Sequence, residues 1–157
     1  MFGKKGFTLI EMLIVVAIIG ILAGAVLVGL GPVQKGGRDA RRLSDLRQVQ
    51  NGLELYFNKN GTYPASGASL LLSEVAATIQ GATGGQIPVD PRNVSPFLYY
   101  YSQLNSGSSY ILGAALEDVS NKSAQSGSFS GSGTFASTNC NTTSSANGGF
   151  FMYCISL

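Results

Sequence analysis

The hydrophobic positions along the 157-residue chain begin with one unbroken run. Residues 7–30, FTLIEMLIVVAIIGILAGAVLVGL, contain a single charged side chain, that of Glu11. As an α-helix this run would be about 36 Å long at about 1.5 Å per residue, which exceeds the roughly 30 Å hydrocarbon core of a bilayer. The pattern therefore predicts a membrane-spanning helix near the N-terminus.

A helical periodicity replaces the continuous run from Arg38 onwards. Between the two patterns, Gly29, Gly31 and Pro32 weaken helical structure, because glycine has a high backbone entropy and proline lacks a backbone donor. We expect an amphipathic helix after this flexible point, ending at Asn60-Gly61 and packing its apolar stripe under a sheet. The stripe recurs every three or four residues, at Leu43, Leu46, Val49, Leu53 and Phe57.

Strand patterns follow in the second half of the chain. Residues 97–104 and 109–116 are rich in strand-forming side chains, and the Asn105-Ser106-Gly107 turn between them predicts a hairpin. A last strand is expected from Phe150 to Ile155, and a short helix from Val75 to Ile79 in the connecting loop. The predicted fold class is α+β, with a small antiparallel meander packed against the long helix.

Composition narrows the possible functions. The chain has no histidine, which excludes Ser-His or Cys-His catalysis and imidazole metal ligands. The eight acidic residues form no paired motif with an evident substrate site, so we expect no enzymatic activity, cofactor or metal. The net charge of +2 is too small by itself to indicate a nucleic-acid-binding surface. Residues 120–149 are rich in Ser, Thr, Asn and Gly, which is typical of polar loops or irregular strands.

Two simple interpretations of the apolar run remain open from hydropathy alone. Lys4 and Lys5 predict a cytoplasmic N-terminus, as expected for a plain membrane anchor. The run also fits a secretory signal peptide that is cleaved at Ala23-Gly24-Ala25. Neither interpretation explains Glu11, because a carboxylate inside a membrane helix costs on the order of 2.5–3.5 kcal/mol. A residue of this kind is by default functional, and its partner has to be identified.

Cleavage after Gly6 would supply that partner. The new amine of Phe7 would lie one helical turn from Glu11, and a neighbouring copy shifted along the helix axis would place its own amine against this carboxylate. The pair would neutralise both charges in an apolar core and set the axial register. The sequence Gly6-Phe7-Thr8-Leu9-Ile10-Glu11, together with the apolar run, resembles the N-terminal signature of the type IV pilin and pseudopilin family.

The resemblance implies a pilin fold with four segments. Residues 1–6 are a leader that a prepilin peptidase removes before methylating Phe7, and residues 7–31 are a transmembrane and filament-core helix. Residues 32–60 are an amphipathic helix, and residues 61–157 form a globular β head with a C-terminal disulfide-bounded region. The segment around Gly29, Gly31 and Pro32 would lend the stalk flexibility.

The resemblance also implies partners and a location. The partners are copies of the chain in a helical filament, the peptidase, and the assembly machinery of the inner membrane. The precursor crosses the inner membrane once, with its N-terminus in the cytoplasm, and the assembled subunit lies in an extracellular filament. No specific nucleic acid is expected.

Cys140 and Cys154 are the only cysteines. In an exported domain, two cysteines are most simply a disulfide, and a metal pair would lack histidine partners. This pair resembles the disulfide that bounds the C-terminal region of type IV pilins.

Three groups of side chains have two interpretations each. Tyr99, Tyr100 and Tyr101 form either an adhesive patch or a half-buried strand, and we favour the strand. Glu117-Asp118, with Ser120-Asn121, supplies either calcium ligands or a solvated turn, and we favour the turn. Four arginines suggest either DNA binding or a solvated helix face that is interleaved with acids or forms salt bridges to neighbouring subunits. Because no aromatic residues are interleaved with them, we favour the second interpretation. The four arginines are Arg38, Arg41, Arg42 and Arg47.

We therefore expect a structural subunit of a type IV pilus, with adhesion, motility or DNA uptake as roles of the whole fibre. The alternative is a pseudopilin of a type II secretion system, since Val89-Asp90-Pro91 before an aromatic strand loosely resembles the major pseudopilin. An unrelated bitopic or secreted enzyme or binding protein is the third possibility.

Overall fold

The structure is a computed structural model that describes residues 6–67, 70–118, 134–135, 138–140, 142–144 and 150–157. The chain divides into two units, Met1–Lys35 and Gly36–Leu157. The leader residues 1–5 and most of the Ser/Asn-rich stretch lie outside the described residues.

The first helix, α1, extends from Leu9 to Asn60 and includes Pro32. Both predicted helices therefore belong to one continuous helix, and the flexibility of the segment around Pro32 stays a prediction. The side chains of α1 are exposed from Leu9 to Val26, and this segment has a mean hydropathy of 2.8. This segment is long and apolar enough to cross a membrane.

Within its described residues, the second unit adds a short helix and six strands to the second half of α1. Helix α2 spans Leu72–Thr83. Gly84 follows it and caps its C-terminus in the left-handed conformation, with a φ of 68°. The strands are β1 (Tyr99–Leu104), β2 (Ser109–Leu116), β3 (Thr134–Phe135), β4 (Thr138–Asn139), β5 (Thr142–Ser144) and β6 (Phe150–Ser156). Strands β1 and β2 form the predicted hairpin.

Four of these strands form one antiparallel sheet in the order β1-β2-β6-β5, while β3 and β4 form a separate pair. Tyr101 pairs with Leu112 across β1 and β2, and Leu112 pairs with Ile155 across β2 and β6. The predicted α+β class and the three-strand meander are confirmed. The short edge strand β5, which sequence analysis did not predict, extends the sheet beyond β6.

Alternate side chains of each strand point to opposite faces of the sheet. Each face contributes to a separate hydrophobic core. On one face, the α1 side chains of Leu46, Val49 and Leu53 share a core with Tyr99, Tyr101, Leu112 and α2. On the other face, Tyr100 shares a second core with Ile111, Met152 and the cysteines. The three consecutive tyrosines are at most 5% exposed. The tyrosines are therefore core residues of a strand and do not form an adhesive patch, as we favoured. They are more deeply buried than the half-buried strand that we predicted.

The predicted disulfide between Cys140 and Cys154 is present, with a Cα–Cα distance of 5.4 Å. It joins the turn after β4 to β6 on the sheet face opposite α1. Closing a loop of about 15 residues stabilises the fold by roughly 3 kcal/mol in the chain-entropy description.

Candidate functional site

The first turn of α1 contains the predicted assembly residue, Glu11. The backbone N–H of Thr8 donates to Oε2 of Glu11 at 2.7 Å, and the Thr8 hydroxyl donates to the same oxygen at 2.6 Å. In return, the Glu11 N–H donates to the Thr8 hydroxyl oxygen at 3.4 Å. This reciprocal arrangement is a capping box, in which the residue before the helix and the third helical residue satisfy each other's backbone donors.

The capping box holds the Glu11 carboxylate at the very start of an apolar helix. Phe7 and Leu9, close to Glu11 in sequence, are each 79% exposed. The described part of the chain therefore leaves large apolar side chains uncovered at this end of the helix. The Thr-x-x-Glu spacing of Thr8 and Glu11 is the sequence signal for a capping box. We did not predict the capping box, because Glu11 was interpreted only as the partner of an N-terminal amine.

The predicted processing residues lie before α1, and the predicted flexibility residues lie within it. Gly6 and Phe7 precede α1, and Gly29, Gly31 and Pro32 lie inside it. A Cβ added at Gly31 would meet no atom within 4 Å. Within this chain, packing therefore does not require glycine at this position.

A second cluster of charged groups lies in the other unit, and it corrects one prediction. Arg42 was expected on a solvated helix face, but its side chain is fully buried. Arg41, next in the chain, is 62% exposed, as expected, and lies 3.7 Å from Asp45. The reason is helical phase, because Arg42 precedes Leu46, Val49 and Leu53 at spacings of four, three and four residues and so lies on the buried stripe.

The Arg42 guanidinium contacts three carboxylates from three parts of the chain. Its Nε and Nη2 donate to the two oxygens of Asp90 at 2.6 and 3.1 Å. Its Nη1 donates to Asp39 at 2.7 Å and to Glu117 at 2.9 Å. The guanidinium carbon lies 5.0 Å from the ring centroid of Phe97. We call Arg42, Asp39, Asp90, Glu117 and Phe97 the arginine cluster.

Two partly exposed arginines complete the arginine cluster at its rim. Arg38 forms a two-pronged bond to Glu117, at 2.7 Å from Nε and 2.6 Å from Nη2. Arg92 lies 3.8 Å from Glu117, and its guanidinium carbon lies 4.2 Å from the centroid of the Phe97 ring. Three guanidinium groups therefore balance three carboxylates.

These contacts also correct the prediction for Glu117-Asp118. Glu117 was expected in a solvated turn, but its side chain is only 5% exposed and is engaged by arginines. Hydrogen bonds from Arg38, and then those from Arg42, lower the pKa of Glu117 from 4.5 to about 2, against the opposing effect of burial. Burial lowers the pKa of Arg42, but the hydrogen bonds and charge of Asp90 outweigh it and raise the pKa overall.

A cavity of about 240 Å³ lies between α2 and the chain before β1. Leu71, Leu72, Ile87 and Leu98 supply apolar walls, and Asp90 of the arginine cluster is also among the lining residues. No group of three acidic or cysteine side chains within the described ranges is arranged to hold a metal ion.

Comparison with known proteins supports the N-terminal resemblance. Residues 1–27 match the prokaryotic N-terminal methylation motif. The chain is 31% identical over 96 residues to type II secretion system core protein G of Aeromonas hydrophila, which covers 56% of this chain and 67% of that protein. No solved structure matches this chain.

Two further relatives carry pilus or fimbrial names. The type IV wide pilus major component PilA4 of Thermus thermophilus is 35% identical over 52% of this chain and 62% of its own length. Fimbrial protein EcpC of Eikenella corrodens is 35% identical over 50% of this chain and 49% of its own length. The chain spans about half to two thirds of the length of the curated relatives described. With its methylation motif, apolar helix and α+β arrangement, the chain belongs to the type IV pilin and pseudopilin family.

Proposed function

We propose that this chain is a structural subunit of a type IV pilus and that its activity is polymerisation rather than catalysis. The observation that carries the proposal is the single carboxylate, Glu11, at the start of a helix whose apolar side chains are exposed from Leu9 to Val26. Exposed apolar surface of this extent has to be covered by lipid or by other chains. Copies of the same helix provide such a cover in a filament.

The proposed mechanism begins with a precursor that crosses the inner membrane once, with Lys4 and Lys5 on the cytoplasmic side. Prepilin peptidase cleaves after Gly6, and Phe7 becomes a methylated N-terminus. The ammonium group of Phe7 in one copy then pairs with Glu11 of a neighbouring copy. Because an unpaired charge in hydrocarbon is costly, only the axial register that pairs both charges is favourable.

The capping box prepares the carboxylate for this pairing. Both Thr8 bonds end on Oε2 of Glu11, and no described residue donates to Oε1. The bonds from Thr8 therefore hold the carboxylate in place while its other oxygen accepts from the neighbouring amine. Two donors on one oxygen also reduce the cost of placing the carboxylate in an apolar environment.

The second candidate function is that of a pseudopilin in a type II secretion system, since several relatives are named core protein G of that system. The proposal of a pilus subunit is favoured by the Cys140–Cys154 disulfide, which resembles that of the pilins. A calcium-dependent rise in melting temperature would favour the pseudopilin. We expect none from Glu117, because its carboxylate is already bound by three arginines.

Replacement of Glu11 tests the assembly mechanism. Glu11→Ala should be exported and cleaved like the wild type, but it should yield few filaments in the sheared fraction of cells. Met12→Ala is the matched control, because it shortens a side chain in the same helical turn and keeps the carboxylate. Normal filament yield from Glu11→Ala would contradict the proposed role of Glu11.

A further inference from the structure

The arginine cluster connects three segments of the second unit through one buried guanidinium. Asp39 and Arg42 belong to α1, Asp90 belongs to the loop before β1, and Glu117 follows β2. Arg42, Asp39 and Asp90 are at most 5% exposed. The central cation is therefore shielded from solvent, and its contacts determine how these segments meet.

Two of the carboxylates also hold backbone groups. Asp39 accepts hydrogen bonds from the N–H groups of Glu117, at 3.0 Å, and of Asp118, at 2.8 Å. Asp90 accepts hydrogen bonds from the N–H groups of Arg92, at 2.8 Å, and of Asn93, at 3.4 Å. The position of each loop on α1 therefore depends on a carboxylate that itself depends on Arg42.

The geometry of the cluster fits a planar cation. Asp90 receives two bonds from the Nε and Nη2 edge of the guanidinium, which a compact ammonium group does not reproduce. Asp39 and Glu117 both accept from Nη1, and the Phe97 ring contacts the group as well. With the Arg42 guanidinium removed, Glu117 would keep its contact with Arg38, but the buried carboxylates of Asp39 and Asp90 would lose their cationic partner, which is unfavourable in a buried environment.

We propose that Arg42 is a positioning residue that closes residues 90–93 and 117–118 onto α1, and that it acts through a site specific for a planar guanidinium group. In this arrangement Asp39, Asp90, Glu117 and Phe97 form the site, and Arg42 is its covalently attached ligand. The apolar core beside the site supplies stability, while the guanidinium determines the loop positions. This inference is independent of the filament function.

Chemical rescue of the full-length chain in detergent micelles tests the proposal. Arg42→Ala removes the guanidinium and leaves space for a free one. Millimolar guanidinium chloride should raise the melting temperature of this variant by several degrees, whereas the wild type should show no rise, because guanidinium otherwise destabilises folded proteins. Sodium chloride and urea, which supply a spherical cation and a neutral planar molecule, should not rescue.

Three further variants make the test specific. Arg41→Ala, which removes the exposed neighbouring arginine, should show no rise with guanidinium. Arg42→Ala combined with Asp90→Asn should lose the rescue, because the two-pronged acceptor is gone. Arg42→Lys should melt below the wild type, because an ammonium group keeps the charge without the planar fork.

Hydrogen exchange distinguishes positioning from general stabilisation. In Arg42→Ala the N–H groups of Glu117, Asp118 and Arg92 should exchange faster, and guanidinium should restore their protection. If Arg42→Ala is unfolded without the cation, guanidinium should induce folding. A variant that shows neither folding, nor a higher melting temperature, nor restored protection would overturn the proposal, as would equal rescue by sodium chloride.

Discussion

Acidification tests the charge balance around Glu117. The pKa of this carboxyl is about 2 in the folded chain, compared with an ordinary value of 4.5, because Arg38 and then Arg42 donate hydrogen bonds to the ionised form. A lowered folded-state pKa means that the carboxylate stabilises the fold fully above about pH 4.5. This stabilisation is lost as the pH falls towards about 2.

The size of the effect follows from the pKa difference. Each pKa unit corresponds to about 1.4 kcal/mol, so the difference between 4.5 and about 2 sets an upper limit of about 3.5 kcal/mol. Arg38 is 33% exposed and Arg92 is 43% exposed, so solvent screens part of this interaction. We therefore expect Glu117 to contribute on the order of 1–2 kcal/mol to the free energy of unfolding at neutral pH through this linkage.

Denaturant unfolding of the wild type and Glu117→Gln as a function of pH measures this contribution. The difference in the free energy of unfolding between the two proteins should narrow by on the order of 1–2 kcal/mol as the pH falls from neutral to about 2. Glu74→Gln removes an exposed carboxylate on α2 that accepts a local hydrogen bond from the Leu71 N–H at 3.4 Å, and it serves as the comparison for a carboxylate outside the arginine cluster. A difference that is independent of pH would refute the reasoning.

Three further predictions concern the disulfide, the packing of the helices and the flexible segment. Cys154→Ser should lower the free energy of unfolding by roughly 3 kcal/mol in denaturant titrations. Gly52→Leu should lower it by about 1–3 kcal/mol, because a Cβ at this position already lies 3.2 Å from the Ile79 side chain. Gly31→Ala with Pro32→Ala should reduce the extensibility of single filaments under force, because each alanine favours the helix by about 1–3 kcal/mol; unchanged extensibility would place the flexibility elsewhere.

The main elements of the fold were predictable because their hydrophobic patterns are strong. The apolar run, the helical stripe and the tyrosine-rich hairpin all appear where local pattern and burial agree. The edge strand β5, by contrast, has only three residues, all Ser or Thr, and it pairs with the nearby strand β6. A pattern this short and polar does not distinguish a strand from a loop.

The arginine cluster was not predicted, because Arg42 was assigned to a solvated face from its charge and not from its position on the helix. Arg42 has the same helical phase as Leu46 and Val49, so its place on the buried stripe could have been deduced. Its partners could not, because Asp90 and Glu117 are 48 and 75 residues away in sequence. The capping box of Thr8 and Glu11, in contrast, is a local motif that can be predicted from the sequence.

The mass and N-terminal sequence of the mature protein from native membranes test the central claim most directly. We expect a chain that begins at Phe7, carries one methyl group on its N-terminal amine and lacks residues 1–6. A chain that begins at Val26 would indicate a cleaved signal peptide. That result, or an intact Met1, would remove the amine that Glu11 is proposed to pair with and would contradict assembly through the N-terminal helix.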